Sequence, residues 1–169
     1  MKILETERLI LRQFSTDDAD FILKLLNEPS FIQNIGDRGV RTLEDARSYI
    51  LRVPIASYEQ NEFGLYLVSL KETGESIGMC GLIKREMLED VDIGYAFLPR
   101  FWSKGFAVEA ALAVKEYARK VIGLKRLVAI TDPENQASIR VLEKIGLRFE
   151  KMVRLSDDDI ELKLLAADI

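Results

Sequence analysis

Residues 92–109 read Asp-Ile-Gly-Tyr-Ala-Phe-Leu-Pro-Arg-Phe-Trp-Ser-Lys-Gly-Phe-Ala-Val-Glu, and this run carries the means for chemistry. Lys104-Gly105-Phe106-Ala107 opens an amphipathic helix with a glycine among small neighbours. The first N–H groups of a helix have no partner within it, and the dipole adds roughly half a positive charge there. Such a start suits a phosphate or pyrophosphate. Upstream, Asp92 sets a carboxylate on a strand just before Ile93-Gly94-Tyr95. The chain has no histidine. That removes the commonest general base, the commonest metal ligand and any Ser-His or Cys-His dyad. Chemistry falls to carboxylates, hydroxyls, amines, backbone amides or a borrowed cofactor.

The elements that must position these groups follow from periodicity. Residues 7–14 alternate as a strand. Ser15, with Asp17 and Asp18, reads as a helix start, and Ile22, Leu25 and Leu26 stripe a helix ending before Pro29. Residues 31–41, with Gly36 and Gly39, read as a loop. Thr42 and Asp45 make a capping box for a helix that buries Leu43, Ala46 and Ile50 and stops before Pro54. Residues 63–70 and 76–84 form a hairpin around Glu72-Thr73-Gly74-Glu75, and 90–98 is the next strand. The long helix after Ser103 places Ala107, Ala111, Val114, Ala118 and Val121 on one face, with Gly123 just past its end. A strand at 126–131 precedes a helix capped by Asn135, with Ser138, Val141, Leu142 and Ile145 on its face and Gly146 at its end. Residues 147–154 and 160–166 close a last hairpin. The order β-α-α-β-β-β-α-β-α-β-β predicts one α/β (α+β) domain over residues 1–169, a mixed sheet with helices on both faces.

Composition narrows the function. The 28 acidic and 24 basic residues leave no basic footprint for nucleic acid. So mild an imbalance suits a cationic substrate or a merely solvated surface. Cys80, the single cysteine, cannot form an internal disulfide and reads as a small buried hydrophobe between Met79 and Gly81. One cysteine and no histidine leave no ligand set for a structural zinc. Lys2, Glu5, Glu7 and Arg8 stand where a secretory leader needs apolar residues, and no apolar run approaches the ~20 residues of a membrane span. A cytoplasmic protein with no membrane and no metal is expected. The run Asp157–Asp159 reads as a solvated turn.

Trp102-Ser103-Lys104-Gly105-Phe106-Ala107 resembles the acyl-CoA-binding motif of the GNAT acetyltransferase superfamily, in the form W-x-x-G-[FY]-A. Asp92-Ile93-Gly94-Tyr95 precedes it at the spacing the family uses. Asp132-Pro133-Glu134-Asn135-Gln136-Ala137-Ser138 follows one strand later. Thr6-Glu7-Arg8-Leu9-Ile10-Leu11-Arg12 resembles the opening strand of the branch holding the Rim-type ribosomal-protein N-terminal acetyltransferases. The resemblance spans nearly the whole chain. It implies a splayed central sheet of the GNAT acyl-CoA acyltransferase fold, and acetyl-CoA as co-substrate. Ser103 and the amides of Lys104, Gly105, Phe106, Ala107 and Val108 would hold the pyrophosphate. The main chain of Phe97 and Leu98 would pair with the pantetheine arm like a short extra strand. Asn135 would bond a pantetheine amide as well as cap its helix. Arg140 either reaches a CoA phosphate or is solvated. Trp102 departs from the Gln or Arg of the superfamily-wide pattern but is normal in this branch.

An amine must be neutral to attack a thioester, yet a Lys-type amine has a pKa near ~10.4 and an N-terminal amine near ~7.7–8.0. The resemblance puts Asp92 where many relatives carry an acid that takes the proton through water. The alternatives are an Asp92 that only attracts a cationic amine, or a solvated acid sharing a strand face with Asp90 and Gly94, opposite Val91, Ile93 and Tyr95. Many relatives carry a Tyr acid seven residues after the motif Asn. Here that position is Leu142, so Ser138 is the candidate to protonate the departing thiolate, with solvent as the alternative. The expected activity is direct acetyl transfer from acetyl-CoA to a primary amine, a protein N-terminal α-amine in the Rim-type reading. The alternatives are a polyamine or aminoglycoside acetyltransferase, or a non-catalytic acyl-CoA-binding module. The expected assembly is a monomer or homodimer. Acceptor specificity falls to residues 29–61 and the last hairpin, which carry no readable motif.

Overall fold

A computed structural model describes residues 1–157 and 159–169. Lys2–Glu5 (β1) pairs antiparallel with Leu9–Gln13 (β2), which pairs in turn with Leu65–Leu70 (β3). Ser15 caps a short 3-10 turn in a reciprocal box with Asp18 and leads into Ala19–Leu26 (α1). Pro29–Asn34 (α2) and Leu43–Ile50 (α3) follow; α3 is capped by Thr42 and Asp45 as the spacing predicts. A π turn over 51–55 joins α3 to Ala56–Asn61 (α4). Ser76–Ile83 (β4) returns beside β3, and Asp92–Phe97 (β5) returns beside β4. Phe106–Tyr117 (α5), Arg126–Thr131 (β6), Gln136–Lys144 (α6), Arg148–Val153 (β7) and Leu162–Asp168 (β8) complete the chain.

The strands lie in the order β1-β2-β3-β4-β5-β6-β8-β7. Every neighbouring pair is antiparallel except β5 and β6. Those two run parallel and meet at a single register pair, Asp92 and Val128, after which they part. Alternation sorts the central strands onto two cores. Tyr66, Val68 and Cys80 pack with Ala110, Ala111 and Val114 of α5 on one face. Leu65, Leu67 and Met79 pack with Ile22, Leu25 and Leu26 of α1 and Ala46 and Ile50 of α3 on the other. Each large apolar side chain buried this way contributes about 1.5–3 kcal/mol. Helices therefore cover both faces, as the element order predicts.

The structure corrects several boundaries. β1 is an additional strand; four residues long and half-exposed, it has too little alternation to stand out. α2 occupies part of the expected loop, because Pro29 begins a helix rather than only ending one. The helix from Leu43 does not stop at Pro54. It widens to a π turn that accommodates the missing N–H and continues as α4. Leu43 is exposed, and Tyr49 takes the core position instead. Val121 is likewise exposed, while Phe106 and Ala110 join the buried face of α5. Ile139 replaces Val141 as a core residue of α6. Residue 158, in the acidic turn, lies outside the described residues.

Candidate active site

The parting of β5 from β6 opens a cleft of about 980 Å³, lined by both strands, by α2, by the head of α5 and by α6. Antiparallel pairing alternates the direction in which backbone groups point. The Leu98 N–H donates to Ile77 of the β4 side at 2.9 Å. Phe97, one residue earlier, therefore aims its N–H and carbonyl into the opening. The Trp102 indole N–H donates to that carbonyl at 2.9 Å. Leu98 does not share this placement: it is buried, and its carbonyl accepts from the Phe101 N–H. Of the two residues expected to meet a pantetheine arm through their main chain, only Phe97 faces the cleft.

Asp92 stands at the vertex of the opening. Its side chain is 1 % exposed, which overturns the solvated-acid alternative. Burial pushes its carboxyl up from 3.8 to about 6, against the pull of the Arg85 guanidinium 3.2 Å away. Asp90 is not part of this arrangement; it accepts from Arg126 at 3.0 Å.

The head of α5 lies at the other end of β5. Gly105 takes φ +83°, a conformation in which L side chains are strained, and Ser103 takes φ +61° although it carries a Cβ. These two positive-φ residues bend the chain sharply into the helix. The first intrahelical bond runs from the Glu109 N–H to the Gly105 carbonyl, so the amides of Phe106, Ala107 and Val108 precede the ladder, and no side chain caps them among the described residues. The first-turn acid Glu109 is drawn away from them. It accepts from the Thr6 hydroxyl (2.5 Å), the Arg8 N–H (3.0 Å) and Arg8 Nε (2.7 Å). Burial alone would raise its pKa, but these bonds win and hold it below the usual range. Arg8 also donates to the Lys104 carbonyl at 3.0 Å and lies over the Phe106 ring. Lys104 itself is exposed and outside the cleft lining, whereas Ser103, Gly105, Phe106, Ala107 and Val108 line it. Free amides, a glycine and no competing acid fit a pyrophosphate.

The third wall is α6. Asn135 Oδ1 accepts from the Ser138 N–H at 3.1 Å, so Asn135 caps the helix. Tyr95 crosses from β5 to place its hydroxyl 3.0 Å from Ser138 Oγ and 3.2 Å from the Ser138 carbonyl. Burial raises the phenol to about 12, with the Ser138 bond pulling the other way. Arg140 is exposed at the rim. Leu142 is buried in the core and presents nothing to the cleft chemically.

The cleft thus gathers Asp92, Phe97, Ser103, Gly105, Phe106, Ala107, Val108, Asn135, Ser138 and Arg140, and leaves out Leu98 and Lys104. Sequence reasoning missed Arg85, Tyr49 and Tyr95. Tyr95 was within reach as the aromatic of Asp-Ile-Gly-Tyr. Arg85 carries no local signal, because its pairing with Asp92 depends on the loop between β4 and β5. Cys80 is fully buried, and burial pushes its thiol pKa up, as befits a packing residue. Among the described residues no cluster of metal-ligating side chains occurs, and no helix is long and apolar enough to cross a membrane.

A profile described as an acetyltransferase (GNAT) domain matches residues 8–148. An uncharacterized N-acetyltransferase of Bacillus subtilis, YoaA, is 32% identical over 153 residues, covering 90% of this chain and 86% of its own. A GNAT-family acetyltransferase from Bacillus anthracis superposes with a TM-score of 0.81 at 28% identity, over 99% of this chain and 98% of that one. RimL, a ribosomal L7/L12 alpha-N-protein acetyltransferase solved with coenzyme A, shares the fold with a TM-score of 0.84 at 21% identity, over 100% and 98% of the two chains.

Proposed function

The chain belongs to the GNAT acetyltransferase family and is an acetyl-CoA-dependent N-acetyltransferase, and we propose that it passes the acetyl group directly to the α-amine of a protein N-terminus, with Asp92 as the proton acceptor. The observation that carries this reading is the buried Asp92 at the vertex of the opening, with a carboxyl raised to about 6. A base is most useful when its pKa lies near the operating pH, where it is ionised and still able to take up a proton. An N-terminal ammonium at ~7.7–8.0 is already partly neutral near neutral pH and needs little from such a base, whereas a Lys-type or polyamine ammonium near ~10.4 is almost wholly protonated there. The opening strand from Thr6 to Arg12 leans the same way through its Rim-type resemblance.

The residues divide the work. The amides of Phe106, Ala107 and Val108 hold the pyrophosphate, with Ser103 and Gly105 shaping the turn and Arg8 steadying Lys104 from behind. The Phe97 main chain receives the pantetheine arm, its carbonyl exchanging the Trp102 indole for the ligand. Asn135 and Arg140 add contacts from α6. Acetyl-CoA supplies the activated acetyl group. Asp92 takes up the amine proton through water and passes it on to solvent; the Ser138 hydroxyl, bonded to Tyr95, gives its proton to the departing sulfur and is reprotonated from solvent.

Turnover of acetyl-CoA against peptides with varied N-termini, polyamines and aminoglycosides tests the reading. Peptide α-amines should be acetylated at the N-terminus by mass spectrometry. Preferential acetylation of polyamines or aminoglycosides would move the acceptor to small amines. Tight CoA binding without turnover on any amine would make the chain an acyl-CoA-binding module.

A further inference from the structure

A second cavity of about 500 Å³ opens beside the Asp92 end of the cleft, and Arg38, Tyr49 and Arg85 line both. Its charged lining is Arg38, Arg52, Lys84 and Arg85, with no Asp or Glu among the described residues. In a chain whose net charge is −4 this is a local reversal of sign. Among the described residues only Arg85 has a carboxylate partner, Asp92. Arg38, Arg52 and Lys84 form no ion pair among the described residues. Arg52 Nε reaches Ser48 Oγ at 3.4 Å, and Lys84 Nζ reaches the Leu88 and Glu89 carbonyls at 3.2 and 3.0 Å.

These cations converge. The Tyr49 phenol is buried, which raises its pKa, and the guanidinium groups of Arg38, Arg52 and Arg85 each pull it back. Three guanidinium groups therefore act on one hydroxyl, and two of them, Arg38 and Arg52, have no carboxylate partner among the described residues. Like charges held together repel, and the planar donors of Arg match the oxygens of carboxylates and phosphates. An oxyanion relieves the repulsion, and the Tyr49 O–H supplies a neutral donor beside it.

The cradle at the head of α5 cannot serve the same anion. It opens near Phe97, while Arg85 bonds Asp92 at the opposite end of β5, about 17 Å of strand away. We infer that the cavity formed by Arg38, Tyr49, Arg52, Lys84 and Arg85 binds an oxyanion of the acceptor itself, a carboxylate or phosphate on the same molecule as the reacting amine. This rests on the acyl-transfer reading above, and it specifies the acceptor as an acidic amine. Polyamines and aminoglycosides, which bring only further positive charge, are disfavoured by the same cluster.

Matched acceptors test it. Peptides with Glu at the second and third positions are compared with the same peptides carrying Gln, and O-phosphoethanolamine with ethanolamine. The acidic member of at least one pair should show a kcat/KM higher by about tenfold or more, equivalent to about 1.4 kcal/mol. Which pair responds tells carboxylate from phosphate. The preference should fall to about one in the double variant Arg38→Gln/Arg52→Gln; both side chains are exposed, so folding tolerates the change. Equal rates within both pairs, or spermidine as the best acceptor, overturns the inference.

A second readout separates its failure from that of the transferase reading. With the cradle saturated by CoA, inorganic phosphate should raise the Tm of the wild type by about 2 °C more than that of the double variant. If no amine is acetylated, the acceptor reading falls and this difference alone decides whether the cavity binds an oxyanion. Equal shifts in the two proteins reject it.

Discussion

The Arg85 guanidinium sits 3.2 Å from the Asp92 carboxylate, yet the carboxyl stays above its ordinary pKa, at about 6. An adjacent cation alone would lower it. Burial of Asp92 outweighs the attraction, since Arg85 keeps 28% of its side chain in solvent while Asp92 keeps 1%. The outcome is a carboxylate more basic than usual but still ionised at neutral pH.

Activity should follow that ionisation. The deprotonated form accepts the proton, so turnover should be present above about pH 6 and fall as pH drops below it. Asp92→Asn keeps the shape and cannot take up a proton. Its kcat should drop on the order of a hundredfold, with acetyl-CoA binding nearly unchanged. The loss should shrink at high pH, where more acceptor amine is already neutral. If Asp92 only attracts a cationic amine, the variant will show a raised KM and wild-type kcat. A pH–rate profile of both proteins separates the two.

The same residue should cost stability. The carboxyl titrates near 3.8 in the unfolded chain and near 6 in the folded one. Between those values the folded state holds a proton that the unfolded state has lost. Stability from this group is therefore greatest below about pH 4, falls as pH rises to about 6, and stays lower above. The rise corresponds to a cost on the order of 3 kcal/mol for the charged form. Asp92→Asn should be more stable than wild type in urea unfolding near neutral pH, and the gain should disappear toward pH 4. A variant less stable than wild type near neutral pH would contradict the burial argument.

Gly105→Val tests the cradle. The substituted residue would have to hold φ +83°, and its Cβ would meet Arg8 Nη2 at 3.3 Å. The branched side chain would also crowd the amides of the first turn. CoA affinity by calorimetry should fall at least tenfold, about 1.4 kcal/mol, with the circular dichroism spectrum retained. Unchanged affinity would remove the pyrophosphate from this helix start.

Cys80→Ala should keep most activity, and the kinetics should be sequential. The thiol is fully buried, and burial pushes its pKa up, so it presents neither access nor a thiolate. Ping-pong kinetics with an acetyl group trapped on Cys80 would be the opposite result.

Local signals made most of the architecture legible. Thr42 with Asp45 and Asn135 with Ser138 cap helices through their own hydrogen bonds, and Gly74 and Gly123 adopt the positive φ that ends a strand or helix. What stayed hidden depends on distant partners. β1 is defined only by its pairing with β2, and the helix through Pro54 is held by packing that overrides the proline. The cleft shows the same division. Gly105 and Asp92 stand out by type and spacing. Arg38, Tyr49, Arg52 and Arg85 come from three separate segments, and only the fold brings them together.

The bonds from Thr6 and Arg8 to Glu109 span 103 and 101 residues of chain. Loop-closure entropy grows only logarithmically, so closing a hundred-residue loop costs about 1 kcal/mol more than closing one a quarter as long. The consequence lies in timing rather than in energy. A chain emerging from the ribosome carries its first strand long before the helix that needs it, and the turn at Lys104 gains its guanidinium support only when the two meet. Nascent or truncated chains that stall short of Glu109 lack the supported turn.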